Sequence, residues 1–277
     1  LKCEFLQPVG AFKARGACTA LLRLSPADRA RGVVTHSSGN HGQAVAYAAS
    51  RLGMKAVVVM PASAPPIKID GVKKFGAEVI LVQTMAEREP RANELAASRG
   101  LTLVPPFEHA DVIAGQGTCG LEILEQWPDV GAILVPVGGG GLLAGVATAV
   151  SGIKLSVRVI GVEPALVPKL SSALAAGSPR AVERQTSLAD GLLPPAVGRI
   201  PYAAIQHLAL ESAAVTEADL AAGVKFLYAT HGLRVEPSGA ATVAALVGGR
   251  CKPGVPTVAI LSGGNVDPDL FDRLVRE

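Results

Sequence analysis

The chain has 277 residues, of which 49% are hydrophobic and 18% charged, with 31 glycines and 20 prolines; such a composition packs into one or two globular domains and excludes disorder as the general state. A formal net charge of +3, with basic residues scattered along the sequence, excludes a nucleic-acid groove or a membrane-surface patch as the organising feature. Four cysteines without CxxC spacing argue against a zinc site or a disulfide framework and for a reduced, cytoplasmic setting, and no apolar run has the length of a membrane span.

The first stretch of interest is "FLQPVGAFKARGAC", which places Lys13 between Phe12 and Ala14 and ahead of Arg15. Taken alone it reads as a helix start with two solvated cations. From residue 33 the sequence alternates between two kinds of segment. "GVVTHSSG" ends a β-branched run, "HGQAVAYAASRLG" is an alanine-rich helix and "KAVVVMP" is a buried strand. "PIKIDGVKKFG" is a helix, "AEVILV" a strand, "MAEREPRANELAASRG" a helix in spite of Pro90, and "LTLVPPF" a strand. Near-continuous aliphatic strands separated by amphipathic helices are what a parallel sheet covered on both faces requires.

The alternation then resumes. "GQGTCGLEILEQW" is helical, "AILVPV" a strand, "GLLAGVATAV" a helix and "LSVRVIGVEP" a strand, followed by a stretch from about 165 to 200 that reads as irregular. "TEADLAAGVKFLYATHG" carries a Thr-x-x-Asp capping pattern and ends on Gly232, "SGAATVAALVGG" is a small-residue helix, and "TVAILSGGNVD" is a strand entering a glycine turn. The simplest architecture is two α/β units with functional loops at strand ends.

Three of those strand ends carry glycine loops. "VPVGGGGLLAG" sets Gly138, Gly139, Gly140 and Gly141 between a strand and a helix. Such a run is either a tight turn or a nest of amides aimed at a phosphate at a helix N-terminus. "THSSGNHGQ" places Ser38, Gly39, Asn40 and His41 at the start of another helix, which they either cap or equip to bind an anion. "ILSGGNVD" is the third. No GxGxxG or GxxxxGK fingerprint marks a dinucleotide or nucleoside triphosphate, and no GxSxG elbow supports a histidine-assisted hydrolase. One small phosphorylated cofactor with ring contacts fits better. Pyridoxal phosphate meets that description and gives Lys13 a role, because its aldehyde needs a lysine, its phosphate a nest, and its ring nitrogen a tuning partner.

The motifs "LKCEFLQPVGAFKARGA", "SSGNHGQAVAYAA", "VIAGQGT", "VPVGGGGLLAG", "GVEP", "LADG", "EPSGA" and "LSGGNVD" occur in one order along nearly the whole chain. In this the sequence resembles the fold-type II pyridoxal-phosphate enzymes, specifically the serine/threonine dehydratase and serine racemase group. The resemblance implies a tryptophan synthase β-like α/β fold of two three-layer domains with parallel-rich sheets and the cofactor in the cleft between them. Residues 1–27 and 113–277 would form the large domain and residues 28–112 the small mobile one.

The resemblance also implies a Schiff base at Lys13, with Phe12 packed beside the cofactor. It places Asn40 at the ring 3′-oxygen, Gly138, Gly139, Gly140 and Gly141 at the phosphate, and Ser262 at the pyridine nitrogen. Gly191 and Glu236 line the cleft. Ser38 faces the substrate opposite the lysine, and Ser38, Gly39, Asn40 and His41 receive the substrate carboxylate. Lys13 and Ser38 are the implied catalytic pair, with Lys13 taking the Cα proton of a β-hydroxy amino acid such as L-serine or L-threonine. The implied reaction is α,β-elimination to a 2-oxo acid and ammonia. Serine racemisation, elimination from 3-hydroxyaspartate, and an idle amino-acid-binding homologue are the alternatives. The implied assembly is a homodimer with a small amino-acid substrate and no nucleic-acid or membrane partner.

Two departures from the group's pattern modify these expectations. Members that bind Mg²⁺, Mn²⁺ or Ca²⁺ use the Glu of "EP" with a carboxylate six positions on, whereas this chain keeps Glu163 and has Lys169 at the second position. An ammonium there repels a divalent ion and is expected to pair with Glu163, so no metal, or only a much weakened divalent activation, is anticipated. The opening "LKCEFLQ" reads like the interior of a longer protein, so further large-domain sequence is expected to precede it, and no fused regulatory domain is expected.

Overall fold

The structure, a computed structural model, describes residues 1–37, 39–64 and 66–276. In chain order the elements are β1 (Lys2–Cys3), α1 (Lys13–Leu22), α2 (Pro26–Arg31), β2 (Val33–His36), α3 (Asn40–Arg51), β3 (Ala56–Pro61), α4 (Pro66–Lys73), β4 (Glu78–Val82), α5 (Arg88–Arg99), β5 (Thr102–Leu103) and α6 (Ala110–Gln126). There follow β6 (Ala132–Pro136), α7 (Gly141–Ser151), β7 (Arg158–Pro164), α8 (Lys169–Ala176), α9 (Arg199–Ile205), β8 (Glu211–Val215), α10 (Glu217–His231), α11 (Pro237–Val247), β9 (Thr257–Leu261) and α12 (Pro268–Arg276). The chain divides into two compact units, one of Lys13–Gly115 and one of Leu1–Phe12 with Gln116–Glu277.

The unit Lys13–Gly115 is built on a four-stranded parallel sheet in the order β4-β3-β2-β5. Its central strand β3 is buried at every position, which explains the unbroken aliphatic run "AVVVM". One face is closed by α5, whose Ala92 and Leu95 pack with Val34, Val57 and Val59. Pro90 sits in the first turn of α5, where a missing amide hydrogen leaves no intrahelical bond unmade. Helix α1 packs along α3, so residues 13–27 go with this unit in the observed partition, whereas the sequence division sets its boundary at residue 28.

The second unit carries a five-stranded parallel sheet in the order β1-β9-β6-β7-β8. At its centre Leu134 of β6 lies between Ile160 of β7 and Ala259 of β9. Because β6 and β9 are parallel, the loops that follow them leave the same edge of the sheet. The stretch from 165 to 200 is not wholly irregular: α8 forms there and buries Lys169, Leu170 and Ala173. Strand β8 was not anticipated either. Only Ala213 and Val215 of its five residues are buried, and it is made a strand by pairing with β7 rather than by its own composition.

Helix α10 has the capping box expected of "TEAD": Thr216 Oγ1 accepts from the Asp219 amide at 3.2 Å, and an Asp219 oxygen accepts from the Thr216 amide at 2.8 Å. Among the described residues no helix is long and apolar enough to cross a membrane, and all four cysteines are free.

Candidate active site

In the unit Lys13–Gly115, Lys13 is the first residue of α1 and its Nζ donates to the Pro106 carbonyl at 2.9 Å. Ala14, Ala17, Ala20 and Leu21 are buried along the helix, which fixes the backbone from which the amine projects. Lys13 is only partly buried as a residue, yet protein surrounds its amine closely, and this burial lowers its pKa to about 8. An amine of that kind is partly neutral near physiological pH and can act as a base.

Strand β2 of the same unit ends in the loop that leads to α3, with Gly39 at the N-cap and Asn40 as the first helical residue. Glycine has no side chain to cap a helix, and first-turn amides lack intrahelical acceptors, so this helix start can receive a carboxylate. Gly42 is needed for close approach: a methyl group there would stand 2.9 Å from Val58 Cγ1. Ser38 lies outside the described residues.

His41 is buried, with its Nε2 2.9 Å from the Val104 carbonyl. Facing a carbonyl, Nε2 must carry the proton, which leaves Nδ1 as an acceptor with no partner among the described residues. Burial, then the charge of Lys13, hold its pKa down to about 3. The ring is therefore neutral at working pH. What the loop presents to an anion is its amides, with no imidazolium.

In the other unit, the strand β6 leads through Val137 into Gly138, Gly139, Gly140 and the first residue of α7, Gly141. Gly140 adopts φ +91°, and a methyl group on it would lie 2.8 Å from Val197 Cγ1. A methyl group on Gly138 would lie 2.9 Å from the Gly191 carbonyl. The Gly139 carbonyl accepts from the Gly198 amide at 3.0 Å. Side chains are thus excluded at Gly138 and Gly140 by the wall, and the loop runs directly into the α7 N-terminus, a position that suits a phosphate.

The wall is the segment 189–198, and it is itself anchored. The Gly191 amide donates to Ser238 Oγ at 2.9 Å. Glu217 accepts from the Ser187 hydroxyl at 2.6 Å and from the Leu188 amide at 2.7 Å. Ser238 was missed by sequence reasoning, although it is the one hydroxyl of the "EPSGA" motif. Glu236, 6% exposed, is the N-cap of α11, and its amide donates to the Gly263 carbonyl at 3.2 Å.

Ser262 follows β9 and is 4% exposed. Around it the turn is stitched to the N-terminal segment: the Phe12 amide donates to the Ser262 carbonyl at 3.0 Å, Ala11 bridges Gly263, the Gly264 amide donates to Gly10, and Asn265 Nδ2 donates to Val9 at 2.8 Å. Phe12 and Ser262 are thereby brought together across nearly the whole length of the chain. The next residue along is Lys13.

One expectation is corrected. Lys169 does not form its hydrogen bonds with Glu163. Its Nζ donates to the Leu192 carbonyl at 2.8 Å and to the Val167 carbonyl at 3.3 Å. Glu163 is occupied by the start of α8, accepting from the Leu170 amide at 2.6 Å and the Ser171 amide at 2.9 Å. A carboxylate that already satisfies two helix-end amides is best left there, and carbonyls are the acceptors within reach of the ammonium. Burial lowers the Lys169 pKa to about 8, and the charge of Glu163 opposes that fall. Among the described residues no group of three His, Cys, Asp or Glu side chains could hold a metal.

Comparison with known proteins gives one answer at the level of family. A family model described as "Pyridoxal-phosphate dependent enzyme" matches residues 1–263. The chain is 39% identical over 278 residues to an L-threonine ammonia-lyase of Thermotoga maritima, covering 100% of this chain and 69% of that protein. It is also 39% identical over 273 residues to a serine racemase of Arabidopsis thaliana, covering 96% of this chain and 82% of that one. Among solved structures, the processed form of threonine deaminase isoform 2 from Solanum lycopersicum superimposes with a TM-score of 0.92 at 37% identity, covering 99% of this chain and 81% of that one.

Proposed function

The chain belongs to the family of pyridoxal-phosphate dependent enzymes, and from that premise we propose that it is an ammonia-lyase that converts L-serine or L-threonine to a 2-oxo acid and ammonia by α,β-elimination. The loop of Gly138, Gly139, Gly140 and Gly141 fits the cofactor's phosphate, since it opens helix α7 and the Cβ positions of Gly138 and Gly140 are closed by Gly191 and Val197. When bound, pyridoxal phosphate supplies an electron sink for charge developing at Cα.

The observation that carries the reading is Lys13, a buried amine with a pKa of about 8. Its neutral form takes the proton from Cα, and a charge of +1 then rests on an amine held by the Pro106 carbonyl. The first-turn amides of α3 would hold the substrate carboxylate, and Asn40, the first residue of that helix, would meet the ring 3′-oxygen. The β-hydroxyl departs with a proton as water, and the released enamine hydrolyses to the 2-oxo acid and ammonia.

Ser262 favours elimination over reactions that need a long-lived carbanion. If Ser262 holds the pyridine nitrogen, its hydroxyl would not keep that nitrogen protonated as a carboxylate would, so negative charge at Cα would be less stabilised and loss of the β-substituent favoured. Racemisation is the second reading, supported by the serine racemase relatives; in that reading Ser38 would be the proton donor for the opposite face.

A substrate panel tests the reading: L- and D-serine, L-threonine and the hydroxyaspartate stereoisomers, scored for 2-oxo acid and for inverted amino acid, with and without Mg²⁺. The expected result is 2-oxo acid from L-serine or L-threonine, with no rise on adding Mg²⁺, because an ammonium is already seated at Val167 and Leu192. Inverted amino acid without 2-oxo acid would assign the racemase instead. In that case Ser38→Ala should abolish inversion.

A further inference from the structure

Lys169 has no part in the chemistry proposed above, yet it has no exposed surface at all and is the largest of the fully buried side chains. A buried ammonium is tolerated only where acceptors replace its water. Here they are two backbone carbonyls, Leu192 at 2.8 Å and Val167 at 3.3 Å, the oxygen chemistry that a small inorganic cation prefers.

The position of Leu192 gives the arrangement a purpose. Leu192 closes the short 3-10 turn Asp190–Leu192. Gly191 in that turn gives its amide to Ser238 and turns its carbonyl toward Gly138. A few residues on, Val197 packs at Gly140 and Gly198 bonds to Gly139. The glycine loop therefore has its shape imposed by the segment 190–198, and Lys169 grips that segment from behind. The other end of the grip is fixed too, because Glu163 ties the first amides of α8 to β7.

We propose that Lys169 is a tethered cation, a positioning residue whose ammonium joins the Val167 and Leu192 carbonyls and so holds the wall of the glycine loop ready for phosphate. The part of this concerning phosphate rests on the reading of residues 138–141 as the cofactor loop; the part concerning the cation site does not. The covalent tether removes any need for a free cation at these carbonyls. Removing the side chain should turn the same carbonyls into a site for an added one.

Lys169→Ala deletes a propylammonium fragment, and Lys169→Met keeps the volume without the charge. Purified apo and cofactor-loaded proteins are compared in n-propylammonium chloride and in tetramethylammonium chloride of equal ionic strength, reading thermal midpoint and pyridoxal-phosphate affinity. The expected result is that wild type is insensitive to the choice of cation. Lys169→Met stays close to the wild-type midpoint but binds pyridoxal phosphate about tenfold more weakly, the loss of roughly one charge-assisted hydrogen bond. Lys169→Ala loses both midpoint and affinity, and n-propylammonium restores both while tetramethylammonium does not.

Wild-type affinity in Lys169→Met would overturn the proposal, reducing the lysine to a space-filler. Failure of n-propylammonium to rescue a folded Lys169→Ala would overturn it as well. If Lys169→Ala does not fold, the affinity of Lys169→Met decides alone. Wild-type protein that takes up no pyridoxal phosphate would remove the cofactor reading, and rescue of the apo Lys169→Ala midpoint would then decide for or against the tethered cation by itself.

Discussion

Lys13 makes the apo protein's stability depend on pH in a way that one substitution isolates. In the folded chain its pKa falls from 10.5 to about 8 through burial. Below pH 8 the amine is charged in both the folded and the unfolded chain, and the folded state bears the cost of burying that charge. Between the two pKa values the folded amine is neutral while the unfolded one still holds its proton, so stability rises with pH across the window from 8 to 10.5. Each pH unit is worth about 1.4 kcal/mol, so the full gain is about 3 kcal/mol. With an unfolding entropy of about 2.1 cal/mol/K per residue over a chain of this length, that corresponds to roughly 5 °C in thermal midpoint. The assay is thermal unfolding of apo wild type and apo Lys13→Met at several pH values from 7.5 to 10.5. Other titrating groups are common to both proteins and cancel in the difference. The wild-type midpoint should climb relative to that of Lys13→Met as pH rises. Parallel curves over the window would refute a buried, depressed amine at residue 13, and with it the claim that the fold itself prepares the base.

Gly140→Ala forces a methyl group at φ +91° and 2.8 Å from Val197. The strain is of order 1–3 kcal/mol, and pyridoxal-phosphate affinity measured by absorbance titration should fall by about tenfold or more. Thr216→Ala removes one half of the α10 capping box and should cost about 1 kcal/mol in denaturant unfolding while leaving the affinity for pyridoxal phosphate unchanged. Ser262→Asp should change the ratio of 2-oxo acid to inverted amino acid and shift the visible spectrum of the loaded protein; an unchanged ratio and spectrum would count against the role given to the neutral hydroxyl.

The parallel sheets and the loops at their ends were legible because the signals are local. A run such as "AVVVM" reports burial on both faces within five residues, and "GGGG" between a strand and a helix reports a backbone that must approach something closely. The capping box of α10 and the first-turn Pro90 of α5 are short-range patterns as well. Strand β8 left no such trace, because "ESAAV" becomes a strand only through its partner β7, and α8 was hidden because part of what secures it is a carboxylate from the preceding strand.

The supports of the candidate site are of this second kind. Lys13 meets Pro106 from 93 residues away, Ser238 meets Gly191 from 47, and Lys169 meets Leu192 from 23. Two of the three end on backbone carbonyls, which every residue carries and no side-chain pattern can mark. The motif that names Lys13 is therefore readable in fourteen letters, "FLQPVGAFKARGAC", while the burial that lowers its pKa, and the grip of Lys169 on the loop wall, exist only once distant segments have packed around them.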